Sequence, residues 1–253
     1  MMVSPLPQRL RYVLFDLGST LIYFHGNWDA VMAESNRLLT QALIEMGCKF
    51  DPAQFSAAFS ERMQAYYVDR DTDFIETTTQ HVLRSLLEEK GYCHFSEEHI
   101  RRALRAMYAN SQKHWRCESD ARPTLENLRQ RGYRLGIVSN ASDDDDVQAL
   151  VDQSELRPYF DFILSSAAVG IRKPDARIFR LALDQWATRP EFTVMVGDLL
   201  NADVLGAHNA GMAGIWITRR ANPNDNRRYT GIIHADAVIA ELAQLPALLP
   251  PVK

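Results

Sequence analysis

The sequence predicts an α/β protein: a parallel sheet with helices on both faces, and a four-helix unit inserted directly after the first strand. Three observations lead there. Apolar, β-type runs at Tyr12–Phe15, Tyr133–Val138, Phe162–Leu164, Thr193–Val196 and Gly214–Thr218 recur with helical stretches between them, the alternation of a parallel sheet covered on both sides. Between the first and second of these runs lie four amphipathic stretches with no intervening strand, which argues a helical bundle. Several strand ends carry polar residues, and the carboxyl edge of an open parallel sheet is where such folds hold ligands. A chain of 253 residues has room for a core of ordinary size and a smaller insert.

The first strand stops at Asp16, followed by Gly18, and the apolar run resumes through Leu21–Phe24 before breaking at His25-Gly26-Asn27. Asn27 is suited to cap a helix carrying Trp28, Val31, Met32, Leu38, Leu39, Leu43 and Met46, which stops at Gly47. Asp51-Pro52 opens a second, with Phe55, Phe59, Met63, Tyr66 and Tyr67 on one face. A third is expected from about Asp73 to Lys90, and a fourth from Ser96, carrying Ile100, Leu104, Met107, Tyr108 and Trp115. The aromatic and methionine residues of this unit read mostly as its core. After Asp120 come a helix with Leu125 and Leu128, the strand ending at Ser139-Asn140, and a helix opened by Asp143–Asp146. The strand near Phe162 leads to Gly170 and Lys173-Pro174, then to a helix with Ile178, Phe179 and Leu183. The strand from Thr193 runs into Gly197-Asp198, and a further helix holds Val204, Leu205 and Ala207. Gly214–Thr218 is the last clear strand, and 222–228 reads as an exposed loop. The division that results is a Rossmann-like core of residues 1–24 and 119–253 with a helical cap of residues 25–118.

Composition narrows the function. Hydrophobic residues make up 46%, charged residues 24%, and the formal charge is −4, so there is no basic footprint for nucleic acid and no polybasic membrane patch. Cys48, Cys93 and Cys117 lack any paired spacing and read as reduced, buried thiols. The first ten residues hold Pro5 and Pro7 and no apolar export signal, and no window is long and apolar enough for a membrane span. A cytoplasmic protein acting on a small molecule is expected, with oligomeric state left open.

Right-handed crossovers bring strand ends far apart in sequence to one rim. Asp16, Ser139, the Lys173 loop, Asp198 and Asp203 therefore converge on a site suited to a phosphate and a hard divalent cation such as Mg²⁺. Asp143–Asp146 does not belong to that set: consecutive residues cannot all face one ion, and the run suits a solvated helix start favoured by the dipole.

At this point the chain resembles the haloacid dehalogenase superfamily, in the branch whose helical cap follows the first strand. The matching segments are Asp16-Leu-Gly-Ser-Thr20, Ser139-Asn140, Lys173-Pro174, and Gly197-Asp198 with Asp203. The resemblance implies a phosphatase that uses Mg²⁺ and acts on a small phosphorylated molecule. Asp16 would be the nucleophile that takes the phosphoryl group. Asp16, Asp198 and the Gly18 carbonyl would hold the metal, with Asp203 at or behind it. Ser139, Asn140 and Lys173 would bind the phosphoryl oxygens, and Thr20 would fix the loop that orients Asp16.

One position departs from the family. Its phosphatases carry a second aspartate two residues after the nucleophile, as general acid and base, where this chain has Gly18. Losing that proton donor slows departure of the leaving group by about 10²- to 10⁴-fold, least for acyl and aryl phosphates. His25, near the cap entrance, is a substitute to be weighed against a solvent-facing linker histidine. Two other readings stand beside the phosphatase: a metal-independent 2-haloacid dehalogenase, which also lacks that aspartate, and a phosphate-binding or interaction protein with little turnover.

Overall fold

Val13, Leu14 and Phe15 are fully buried because β1 (Tyr12–Phe15) lies inside a parallel sheet with neighbours on both sides. The computed structural model describes Leu6 and residues 9–252, without the side chains of 69–72. Pro5 and Pro7, with the rest of 1–5 and Gln8, lie outside the described residues, as does the export-signal expectation that rests on them. Two paired linker strands come next in the chain: β2 (Ile22–Phe24), and, after four helices, β3 (Trp115–Cys117). The four helices between them are α1 (Trp28–Glu45), α2 (Pro52–Asp73), α3 (Thr79–Glu89) and α4 (Glu97–Ser111). The chain continues with α5 (Ala121–Gln130), β4 (Arg134–Ser139), α6 (Asp144–Gln153), β5 (Phe162–Ser165), α7 (Ser166–Val169) and α8 (Ala176–Asp184). It closes with β6 (Thr193–Gly197), a wide π-helical turn over Leu200–Leu205, α9 (Gly206–Asn209), β7 (Ala213–Ile217), α10 (Pro223–Asn226), β8 (Ala237–Ile239) and α11 (Leu245–Leu248).

Six strands form one sheet in the order β5-β4-β1-β6-β7-β8, every pair parallel. The α/β, Rossmann-like expectation is met, with β8 added as an edge strand that its three residues made too short to recognise. Side chains alternate across the sheet as a pleated strand requires. Val13, Phe15, Leu135, Ile137, Val194 and Val196 pack into one apolar cluster with α5, α6 and α11. Leu14, Val138 and Met195 point the other way, into a cluster with α8 and α9. Phe15 stands level with Ile137 on one side and Val196 on the other, so the chain leaves β1, β4 and β6 at nearly the same height. Order reverses around β1, the switch point where such sheets open a crevice.

The four helices between β2 and β3 share an apolar cluster of their own, built on Leu39, Leu43, Phe55, Phe59, Leu83, Leu86, Ile100 and Leu104. Asn27, Asp51, Thr78 and Ser96 each cap the following helix by accepting a backbone N–H, which satisfies one of the four donors a helix start leaves free. Three expectations need correction. α2 runs on to Asp73, and α3 starts only at Thr79, because Phe74 turns left-handed (φ 57°) and the chain then crosses to the sheet domain. Trp115 lies on β3, opposite Phe24, and not on the fourth helix. Trp28 and Tyr67 are 50% and 41% exposed, hence not core. Among the thiols, only Cys48 is buried; Cys93 is exposed and Cys117 half-buried, all of them free. No helix among the described residues is long and apolar enough to cross a membrane.

Candidate active site

The backbone N–H of Asp16 still donates to Val196 (2.9 Å), so the carboxylate leaves β1 with its main chain pinned to β6. Lys173 is 3% exposed, and its three ammonium protons are all engaged: Asp16 Oδ1 at 2.7 Å, Asp203 Oδ1 at 2.7 Å and the Val138 carbonyl at 2.8 Å. One lysine thus binds together the ends of β1 and β4 and the turn after β6. Burial alone would depress it, but Asp16 and Asp203 hold it above its ordinary value.

Asp203 is 1% exposed and accepts the Leu199 N–H (2.9 Å) on its other oxygen. It packs directly over Gly197, where an added Cβ would lie 2.1 Å from its Cγ. Only glycine fits there. Asp198 is 6% exposed, and its carbonyl accepts from Trp216 Nε1 (2.9 Å) and Asn226 Nδ2 (3.1 Å). Asn226 also accepts the Leu200 N–H (2.7 Å) and is 3% exposed. The stretch expected as an exposed loop therefore contains α10 and a buried amide that holds the Asp198 turn. Its only sequence signal was an Asn-Pro pair able to start a short helix at Asn222.

Oxygens of Asp16, Asp198 and Asp203 lie within 4.8 Å of one another. Three carboxylates and one ammonium leave an excess of negative charge in a buried space. Burial first, then Asp203, raise Asp16 to about 6 against the pull of Lys173. Burial, then Asp16 and Asp203, raise Asp198 to about 9. Both shifts hold Asp16 and Asp198 more readily protonated than ordinary carboxylates. Hard oxygen donors in excess of the local positive charge fit a divalent cation such as Mg²⁺.

The remaining residues singled out from sequence fall as follows. Ser139 ends β4 at the same rim, 6% exposed, its hydroxyl without a protein partner among the described residues. The Asn140 amide is engaged at both ends, donating to the Lys173 carbonyl (2.9 Å) and accepting the Lys173 N–H (2.8 Å). It therefore positions Lys173, and one amide proton and one oxygen lone pair stay uncommitted. The buried Thr20 hydroxyl has no hydrogen-bond partner among the described residues. Ser19 takes a left-handed φ of 57°, a local strain of the sort that gathers at functional loops. Gly18 presents bare backbone, and the nearest atoms to a Cβ added there belong to the Trp115 ring, at 3.7 and 3.8 Å. His25 is exposed on the linker, its N–H donating to the His114 carbonyl (2.8 Å). Asp143 caps α6, and of the run Asp143–Asp146 only Asp145 is exposed. The others are half-buried along a cleft of about 580 Å³ facing α4; burial raises Asp143 to about 6 and Asp146 to about 7. The run is thus less solvated than expected.

A strap that no local pattern foretells joins the helical unit to this rim. Ile75 bridges Ile171, Glu76 N–H donates to the Gly170 carbonyl (3.1 Å), and Arg172 N–H donates to the Phe74 carbonyl (2.9 Å). The fully buried Glu76 carboxylate is paired with Arg172 and accepts from Ser166 Oγ (2.6 Å) and the Tyr66 hydroxyl. Nearby, Thr79 donates twice to Ser142, from N–H (2.8 Å) and Oγ1 (2.9 Å). The strap thus grips the residues immediately before Lys173 and just after Asn140.

Residues 10–211 match the family model described as haloacid dehalogenase-like hydrolase. A glyceraldehyde 3-phosphate phosphatase of Pyrococcus furiosus is 27% identical over 242 residues, 96% of this chain and 94% of that protein. A phosphoserine phosphatase of Thermus thermophilus is 34% identical over 146 residues, 58% of this chain and 57% of that protein. Among solved structures, a 2-haloacid dehalogenase from Pseudomonas syringae superposes with a TM-score of 0.68 at 26% identity, covering 94% of this chain and 97% of that one.

Proposed function

The chain belongs to the haloacid dehalogenase-like hydrolases, and from that premise we propose that it is a Mg²⁺-dependent phosphatase of a small phosphate ester, with Asp16 as nucleophile. The observation that carries this reading is the buried cluster of Asp16, Asp198 and Asp203 around the Lys173 ammonium. Resemblance over nearly its full length to a glyceraldehyde 3-phosphate phosphatase supports the same class. Helices α1–α4, within residues 25–118, act as the cap that closes over the substrate; their separate apolar cluster supports that division.

Asp16 attacks phosphorus, the bond to the leaving oxygen breaks, and an aspartyl-phosphate forms that water then hydrolyses. Bound Mg²⁺, held by Asp16, Asp198 and the Gly18 carbonyl with Asp203 behind them, would neutralise charge on the phosphoryl oxygens. Lys173 keeps Asp16 ionised and aimed. Since its protons are already committed, it acts on the phosphoryl group chiefly through charge. Ser139 offers an unpaired hydroxyl to a phosphoryl oxygen. Asn140 holds Lys173 in place. No side chain at position 18 protonates the leaving group, so weakly basic leaving groups turn over fastest.

A second reading, hydrolytic dehalogenation of a 2-haloacid, draws on the structural likeness to the Pseudomonas syringae enzyme and on Gly18. That chemistry needs no cation and gives no reason for the Asp198–Asp203 pair. One panel separates the two: para-nitrophenyl phosphate, acetyl phosphate and 2-chloropropionate, each with Mg²⁺ or with EDTA. Metal-dependent phosphate release that vanishes in Asp16→Asn is the expected result. Metal-independent halide release would replace the phosphatase by the dehalogenase. Gly18→Asp is expected to gain turnover, most on alkyl phosphates.

A further inference from the structure

We propose that Trp115 is a specificity-determining residue, whose indole forms an apolar wall beside Gly18 that selects phosphate esters with an aromatic, weakly basic leaving group. The inference rests on the phosphatase reading and names its substrate class.

Gly18 stands two residues beyond Asp16, on the loop leaving β1. A Cβ added there would meet Trp115 Cη2 at 3.7 Å and Cζ3 at 3.8 Å, and no other non-neighbouring atom within 4 Å. The space in front of this backbone is therefore bounded by the far edge of an indole. β3 delivers that ring by pairing Trp115 with Phe24. Trp115 is half-buried: it packs against the core cluster while part of it stays accessible. Its neighbours extend the surface outward. The Phe24 ring lies 5.6 Å from Trp115 edge-on, 5.6 Å from His114 in a stack, and 4.8 Å from Trp28, which is half-exposed on the first turn of α1. An aromatic surface thus runs from the nucleophile loop to the cap entrance.

Two properties of that corner select the same chemistry. Aromatic surfaces favour flat partners, in offset or edge-on contact. A loop without an acidic side chain at position 18 requires the leaving oxygen to depart as an anion, taking the P–O electron pair while Asp16 forms its bond to phosphorus. Water then adds to phosphorus, the bond to Asp16 breaks, and the released proton passes to solvent. An aryl oxygen meets both demands, a flat ring for the indole and weak basicity; an acyl oxygen meets only the second, and an alkyl oxygen neither.

The test compares para-nitrophenyl phosphate, acetyl phosphate and glycerol 3-phosphate on the Mg²⁺-loaded full chain and on Trp115→Leu and Trp115→Phe. In Trp115→Leu the ratio of kcat/KM for nitrophenyl phosphate to that for acetyl phosphate is expected to fall by about tenfold, mainly through KM. Trp115→Phe is expected to restore most of the ratio. A Trp115→Leu ratio within about twofold of the parent overturns the proposal, since loss of a merely structural ring lowers both substrates together. Should Trp115→Leu not fold, the parent protein decides: phenylphosphonate is expected to bind about tenfold tighter than methylphosphonate by calorimetry, and equal affinities overturn the proposal. Phosphate release from acetyl phosphate with no aromatic preference sinks this inference alone. Release from none of the three substrates sinks the phosphatase reading, and this inference with it.

Discussion

Loading the metal-free protein with Mg²⁺ at pH 7.5 is expected to release close to one proton per site. Asp198 is raised to about 9 by burial and by Asp16 and Asp203, and Asp16 to about 6 by burial and Asp203 against Lys173. Because the carboxylates interact, these two steps belong to the cluster rather than to single residues. At pH 7.5, between the two steps, the cluster then holds close to one proton, with more bound below about pH 6 and fewer above about pH 9. A cation that takes both carboxylates displaces those protons, so apparent affinity climbs roughly tenfold per pH unit between about 7 and 8.5 and flattens above about 9. Calorimetric titration in buffers of different ionisation enthalpy reads the proton count directly. The stability sign follows from the same shifts. Both groups are raised above the ordinary 3.8, so the stabilisation from their bound protons is complete below about 4 and is lost as pH rises through about 6 and then about 9. In EDTA, Tm should therefore fall from pH 5.5 to 9.5, and the rise in Tm on adding Mg²⁺ should widen across that range. Heat of binding that is independent of buffer at pH 7.5 would refute the reasoning, because it would mean that Asp16 and Asp198 are already ionised without a cation.

Lys173→Met leaves two carboxylates and the Val138 carbonyl without their shared donor; urea melts of the metal-free protein at pH 7.5 should show a loss of about 3–5 kcal/mol, together with loss of phosphate release. Asn226→Ala frees the Leu200 N–H and one donor to the Asp198 carbonyl, and Mg²⁺ affinity is expected to drop about 10- to 100-fold; an unchanged calorimetric Kd would show that the turn stands without the amide. Glu76→Ala leaves Arg172 buried and unpaired, at a loss of about 3–5 kcal/mol, whereas Glu76→Leu with Arg172→Leu should recover most of it. Equal stability of the single and double variants would mean that the strap does not depend on that ion pair.

Residue types and their spacing were enough to predict the parallel sheet, because a strand buried on both faces must be apolar throughout and a helix must be apolar on one side. Val13–Phe15, Val194–Val196 and the helices between them carry that pattern openly. The meeting of Asp16, Lys173, Asp198 and Asp203 was also legible, since parallel strands joined by right-handed crossovers bring their carboxyl ends to one rim. Asn226, Trp115 and the Glu76–Arg172 pair were not. Asn226 sits in a polar run without periodicity and acquires its role from Leu200 and Asp198, 26 and 28 residues away. Trp115 lies on a strand of three residues, too short to show alternation, and only pairing with β2 brings its ring over Gly18. Glu76 meets Arg172 across 96 residues. Local pattern records how much each segment wants to be buried and with what period. Which distant surface a segment is buried against is decided only when the elements pack, and the groups that hold the loops of this site come from such packing.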